Sequence, residues 1–341
     1  MSTDTADLRD LLDGEGPYLT IALPAPSAHP DAAHRFDIER KNVVRAIPGD
    51  WPDDDRDELV ADLDDLPHDA GAAVIAVRRL GGPTHVEFIA DEVHGASVFQ
   101  GPLPRLVPLL DARQRTIGHV VVECDLAGAD IVSFDGGTVL ETETVEGDTE
   151  HIHRGHPGGW SQRRFQQRAE NTWEENAADV VEATMETVDR SGARLVAVTG
   201  PTRARSMVVE GLREVVEGRG QHADVVVVGI ESGDAEGIAA DVVRHTADIA
   251  ARDSMAAIDD VKERASSPGG YSPGEISSAL AEGRVELLLV DDADPTEVLD
   301  DPAETRFVDH CVAGALRSGA DIRVVPNVAV VNDGVGAIMR W

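Results

Sequence analysis

An α/β fold in three parts is what this 341-residue sequence predicts. Three observations carry that expectation. Strand-sized apolar runs, such as Val225–Val228 and Leu287–Val290, alternate with helix-length amphipathic stretches. In the middle of the chain, three runs follow one another at strand length: Ile117–Glu123, Ala129–Phe134 and Thr138–Thr144. The last two are joined by Asp135-Gly136-Gly137, a hairpin turn whose glycines can take positive φ. Near the end, Ser272-Pro273-Gly274-Glu275 has the form of a capping box with proline at the first helical position, a helix start.

The parts are residues 1–115, 116–228 and 232–341. In the first, Tyr18–Leu23 reads as a strand ended by the Pro24–Pro26 loop, and Ala33–Ile47 as a helix with Phe36, Ile38, Val43, Val44 and Ile47 as its apolar points. Asp53–Leu66 is an acidic helix; its opening Asp53-Asp54-Asp55 reads as a solvated first turn, because aspartate suits the positive end of a helix. Ala73–Val77 and His85–Ile89 are strands, and Leu103–Leu110 a short helix. In the second part a long helix runs from near Gln162 to Arg190, with Phe165, Ala169, Trp173, Ala177, Val180, Val181, Met185 and Val188 on one face, and Gly192 stops it. Leu195–Val198, Pro201–Glu217 and Asp224–Val228 continue as strand, helix and strand. In the third part, helices are expected at Ala239–Ala250, Asp253–Arg264, from Ser272 to Ala281, and at Phe307–Ser318. Strands are expected at Val285–Val290, Ile322–Val325, Val328–Val331 and Ala337–Arg340.

Formal net charge is -34, and Lys41 and Lys262 are the only lysines among 30 basic residues. An Asp-rich surface almost without lysine fits a halophilic cytoplasm, where screening shortens to a few Å and self-repulsion is tolerable. The charge therefore reflects environment before it reflects a partner, and it does not exclude RNA. Cys124 and Cys311 fit a reducing cytosol and form no zinc pattern. The opening MSTDTADLRD has neither a positive nor an apolar targeting segment, and no apolar run is long enough for a membrane span. A cytoplasmic protein without a membrane partner is expected.

Against this acidic background one stretch stays basic. His151 to Arg168 reads HIHRGHPGGWSQRRFQQR: three histidines, four arginines, and no acid. Pro157-Gly158-Gly159 breaks regular structure, and Gly158 and Gly159 let backbone approach a crowded surface. Trp160 follows, with a ring that can stack on a base for about 1–3 kcal/mol. Arg163, Arg164 and Arg168 fall in the first turns of the helix, where cations oppose the helix dipole. An external phosphate justifies that cost; pairing with Glu170, Glu174 and Glu175 along the helix is the bland alternative.

The segment Gly158-Gly159-Trp160-Ser161-Gln162-Arg163-Arg164-Phe165, followed by Arg168 and Glu170, resembles the signature loop and helix of the archaeal and eukaryotic class-one release factors and their Pelota relatives. The GGYSPGEISSALAEGRVELLLVDD segment of the third part is similar to the same superfamily, in the bacterial and archaeal branch that includes a mycobacterial dormancy-associated protein and Balon-type hibernation factors. The resemblance implies a divergent α/β N-terminal domain, a ribonuclease-H-like middle domain carrying the loop, and a C-terminal domain similar to a kink-turn-binding ribosomal protein. It implies a stress-response factor that occupies the A site of idle ribosomes, contacts rRNA of both subunits, and is delivered by elongation factor Tu or its archaeal counterpart.

RNA-facing residues are then His151, His153, Arg154, His156, Gly158, Gly159, Trp160, Ser161, Gln162, Arg163, Arg164 and Arg168. Release factors carry a catalytic glutamine where this chain has Trp160, which has one N–H donor and no side-chain acceptor. No counterpart of the Asn-Ile-Lys-Ser codon motif occurs in residues 1–115. Hibernation is therefore favoured over codon-dependent release. The rival is a ribosome-rescue peptidyl-tRNA hydrolase or tRNA nuclease using Gln162 or the histidines. A metal-dependent hydrolase built on His151, His153 and His156 is a third reading, but no carboxylate or cysteine accompanies them, and neither metal nor cofactor is expected. Thr199–Arg205 could hold an anion at a helix start, yet lacks the spacing of a phosphate loop and reads as a plain strand-to-helix turn. Ser266–Gly270, beside Tyr271, is a loop that could meet rRNA or another factor.

Overall fold

The computed structural model describes residues 5–14, 16–26, 30–49, 51–67, 71–90, 92–93, 95–147, 160–218, 220, 222–264, 271–291, 304–325 and 333–341, with backbone alone at 30–32 and 160–170. It is a mixed α/β chain in two compact units, Met1–Arg115 with Ala251–Trp341, and Thr116–Ala250.

The first unit opens with α1 (Ala6–Leu11), β1 (Tyr18–Pro24), α2 (Pro30–Ala46), α3 (Asp53–Asp64), β2 (Ala73–Arg79), β3 (Thr84–Ile89), β4 (Ser97–Gly101) and α4 (Val107–Arg115). Its four strands form an antiparallel sheet in the order β3-β2-β1-β4. Alternation sorts the side chains: Leu19, Ile21, Val74 and Ala76 join the core under α2 and α3, whereas Tyr18, Ala73, Ile75 and Val77 face the opposite core. The expected helix at 103–110 begins later and runs to Arg115. Pro104 disfavours helix at the residue before it, while Pro108 fits a first turn. Asp55 is not solvated as expected: it accepts from the buried Arg78 guanidinium at 2.8 Å and from the backbone N–H of Gly81 at 2.9 Å. Asp53 does stay exposed.

The second unit holds β5 (His119–Cys124), β6 (Gly128–Asp135), β7 (Thr138–Glu146), α5 (Trp160–Ser191), β8 (Leu195–Thr199), α6 (Thr202–Gly218) and β9 (Val226–Gly229). The sheet order is β7-β6-β5-β8-β9, antiparallel through β7, β6 and β5 and parallel through β5, β8 and β9. One face, through Val120, Val122, Val196 and Val198, packs with Val180, Met185 and Val188 of α5 and Val208 and Leu212 of α6. The other face, through Leu195 and Ala197, packs with Val242 and Ile249.

Those last two residues lie on α7 (Ala235–Arg264), a single helix where two were expected. Ala251-Arg252 are strong helix formers, and no glycine or proline interrupts them. Then come α8 (Pro273–Ala281), β10 (Val285–Val290), α9 (Phe307–Ser318), β11 (Asp321–Val324) and β12 (Val335–Met339). They form a three-stranded sheet, β11-β10-β12. The capping box forms as read: the Ser272 side chain accepts from the Glu275 backbone, whose carboxylate accepts from the Ser272 backbone at 2.8 Å. Gly319 ends α9 in the left-handed region. Within the first unit, Gln114 of α4 acts as a backbone mimic on β11: its Nε2 donates to Val324 O at 2.6 Å, and its Oε1 accepts from Val324 N at 3.0 Å. Val328–Val331 and the 266–270 loop lie outside the described residues. Among the described residues, no helix is long and apolar enough to cross a membrane.

Candidate nucleic-acid interface

His151, His153, Arg154, His156, Gly158 and Gly159 lie outside the described residues. Trp160, Ser161, Gln162, Arg163, Arg164 and Arg168 lie on the opening turns of α5, which begins at Trp160, two residues before the sequence expectation; their side chains are outside the described set. Nothing between Gly159 and Gln162 breaks a helix, so the last breaker fixes its start. The first turn of α5 has no acidic residue. The opening turns of a helix present backbone N–H groups and the positive end of the dipole, and in α5 the same turns carry Arg163, Arg164 and Arg168 in sequence.

Further along, α5 is anchored. Trp173 is buried beside the first turn of α6, and the Arg203 guanidinium lies over its ring at 4.3 Å. Asn176 is buried too, and its Nδ2 donates to Leu126 O in the β5–β6 turn at 2.9 Å. Asn176 goes unnoticed in the sequence, and Arg203 enters only within the Thr199–Arg205 turn. A signal existed for the first: asparagine is a poor choice inside a helix unless its amide has a job.

The other half of α5 is acidic. Glu174, Glu182, Glu186 and Asp189 line a groove of 830 Å³ against Glu210 and Glu214 of α6, over a floor that includes Val181 and Met185. Such a face repels a phosphate backbone. At the far end, Arg190 is held by Glu141 at 3.1 Å and Glu143 at 2.8 Å.

The turn from Thr199 to Arg205 spends its polar groups internally. Thr199 Oγ1 donates to Ser232 O at 3.0 Å, and Arg205 donates to Ile230 O at 2.7 Å. Gly200, at φ +130°, lets Cys124 O approach to where a Cβ would stand 2.0 Å away. Burial pushes the thiol of Cys124 up to about 11 and that of Cys311 up to about 12. Both stay protonated at neutral pH, which removes them as nucleophiles.

One donor cluster was invisible in sequence: Asp7, His85 and Glu87 converge within 4.8 Å. Arg113 fills it, with Nη1 donating to Asp7 at 2.8 Å and Nε to Glu87 at 2.9 Å. The carboxylates are thus committed to a guanidinium, and the cluster is an ion-pair network.

Residues 118–266, which include the basic stretch and all of α5, match the model of bacterial archaeo-eukaryotic release factor family 2. An uncharacterized protein of Mycobacterium tuberculosis is 24% identical over 369 aligned positions, covering 98% of this chain and 96% of that one. Among solved structures, ribosome-bound archaeal Pelota, determined with ABCE1, is 15% identical with a TM-score of 0.45, covering 100% of this chain and 95% of that one. Dom34 of S. cerevisiae, a translation termination-like factor, is 11% identical with a TM-score of 0.42, covering 76% and 75%.

Proposed function

We propose that this chain, whose residues 118–266 belong to bacterial archaeo-eukaryotic release factor family 2, is a ribosome hibernation factor. It binds the A site of idle ribosomes, and its Gly-Gly-Trp loop reaches toward the peptidyl-transferase centre. The observation that carries this reading is the order of chemistry within the matched region. A Gly-Gly tip precedes Trp160, and Arg163, Arg164 and Arg168 follow on a helix start that has no acid in its first turn.

Each part has a role. Gly158 and Gly159 allow close backbone approach, and Trp160 stacks on an rRNA base. Arg163, Arg164 and Arg168 contact phosphates, with His151, His153, Arg154 and His156 adding donors. Ser161 and Gln162 complete the contact. Trp160 stands where a hydrolytic release factor has its glutamine, so the loop occupies the site without positioning water for ester cleavage. Residues 1–115 approach the decoding centre, and elongation factor Tu or its archaeal counterpart delivers the protein.

Replacing Trp160, Arg163 and Arg164 together by alanine is expected to abolish co-sedimentation with ribosomes from resting cells at native salt. Unchanged sedimentation overturns the reading. Cleavage of peptidyl-tRNA on stalled ribosomes, lost in Gln162→Ala, replaces it with a rescue hydrolase.

A further inference from the structure

Helices α5 and α6 pack side by side on one face of the second sheet, and the groove of 830 Å³ runs between them. Ala177, Val181 and Met185 recur every four residues on α5, and Met207, Gly211 and Val215 do the same on α6, so each helix lends the groove one apolar stripe. A Cβ on Gly211 would stand 2.9 Å from Val181 Cγ2. Glycine there lets the two helices meet closely at the bottom of the groove. The next stripe outward is acid on both sides: Glu174, Glu182 and Glu186 on α5, Glu210 and Glu214 on α6.

Elsewhere the chain brings arginine to its carboxylates, as Arg78, Arg113 and Arg306 do. Here it does not. Glu186 lies 3.7 Å from Arg190, and Asp189 lies 3.7 Å from His222, both at the far end. Among the described residues, Glu174, Glu182, Glu210 and Glu214 have no cationic partner, and no basic residue lines the groove. Arginines are at hand on α6 itself, but they turn elsewhere. Arg205 donates to Ile230 O at 2.7 Å, Arg213 donates to Val227 O at 3.1 Å, and Arg203 covers Trp173. Water and salt make such a negative rim tolerable while the groove stays open. An occupant that covers the floor and shuts water out must therefore bring positive charge to both rims.

We infer that the groove between α5 and α6 docks a basic amphipathic helix of a partner protein. An apolar stripe on that helix covers Val181, Met185 and Met207, and lysines or arginines on its two flanks reach Glu174 and Glu182 on one rim and Glu210 and Glu214 on the other. From Glu174 to Asp189 the groove runs about 22 Å at about 1.5 Å per residue, room for about four turns of partner helix. Methionine suits such a floor, because its thioether adapts to the side chains it meets. Nucleic acid carries the wrong sign for this site. The inference does not rest on the ribosomal reading above.

The test titrates the full chain with a four-turn synthetic peptide that carries leucines along one helical face and lysines on both flanks. A second peptide has the same composition in scrambled order, which keeps the charge and loses the stripe. Fluorescence anisotropy gives the affinities at molar salt, where general charge attraction is screened within about 3 Å. Methionines labelled with carbon-13 in the methyl group report the place: Met185 and Met207 line the groove, whereas Met255, exposed on α7, lies outside it. The patterned peptide should bind at least tenfold more tightly than the scrambled one and shift the Met185 and Met207 signals while Met255 stays unmoved. Glu182→Arg with Glu214→Arg should weaken it at least tenfold, with unchanged far-ultraviolet dichroism. Asp179→Arg with Glu217→Arg makes the same change of charge on exposed positions of the same two helices outside the groove, and should leave the affinity nearly unaltered. Absence of binding, equal affinity of the two peptides, or equal loss in both double variants overturns the inference and reduces the face to general acidity. Dimers of the free chain whose Met185 and Met207 signals move on dilution overturn it as well, because they give the groove to a second copy.

Discussion

Arginines stand in two settings in this chain, and the contrast bears directly on the proposed function. Arg113 sits between Asp7 of α1 and Glu87 of β3, and Arg306 forks onto Asp309 at 2.7 and 2.8 Å with both side chains buried. Arg78 gathers Asp55 and Glu58. In a protein with 64 acidic and 30 basic residues, cations are the scarce species, and these are committed to carboxylates that would otherwise repel one another. Arg163, Arg164 and Arg168 stand instead at the positive end of a helix whose first turn holds no acid. A cation near the start of a helix works against the dipole, and the function proposed above gives these three an external phosphate as partner.

The largest effect expected from this contrast is on salt dependence. Each phosphate contact releases counterions, so Arg163→Ala with Arg164→Ala should flatten the slope of log affinity against log salt by about 1.5–2 units. The melting temperature should stay close to that of the parent. Equal slopes in parent and variant would make these arginines structural, like Arg113, and erase the distinction.

Much of the fold was legible because its elements announce themselves locally. The strands of the second unit, the capping box at Ser272 and the αL glycine at Gly319 follow from alternation, side-chain reach and φ preference. What escaped did so for physical reasons. β4 (Ser97–Gly101) is half-buried along its length and has no strong pattern of its own; pairing with β1 makes it a strand. α1 has six residues, too few for a periodicity, and is held by Leu8 in the core and by Arg9 donating to Leu316 O at 2.9 Å. The loop chemistry could be read as a string because its residues are consecutive. Asn176 and Leu126, 50 positions apart, could not, since only the sheet brings the β5–β6 turn and α5 together.

A middle-sized effect belongs to Arg113. A hydrogen bond from Arg113, against opposing burial, holds Asp7 below the ordinary carboxylate range. Burial alone would raise Glu87, but hydrogen bonds from His85 and Arg113 outweigh it and lower this group as well. A depressed carboxylate contributes stability that is complete above its unfolded pKa, about 4, and is lost as pH falls through the lower folded value. Arg113→Met should therefore cost about 1–2 kcal/mol at neutral pH, the exposure of Asp7 keeping it modest. In urea titrations the gap to the parent should close as pH drops below about 4. A gap that widens in acid would mean that Arg113 acts through packing.

The smallest effect is expected where an arginine has several partners but little burial. Arg190 reaches Glu141 and Glu143 of β7 and, at 3.7 Å, Glu186 of α5, all partly exposed. Salt screens such pairs, and holding four long side chains in place costs conformational freedom. What anchors this end of α5 is Val180, Met185 and Val188 in the core. Arg190→Ala should leave both the thermal midpoint at molar salt and ribosome sedimentation unchanged. If it instead weakens ribosome binding as strongly as the Arg163 and Arg164 pair, the charge of the whole helix matters, and the division of α5 into an RNA-facing start and an acidic remainder fails.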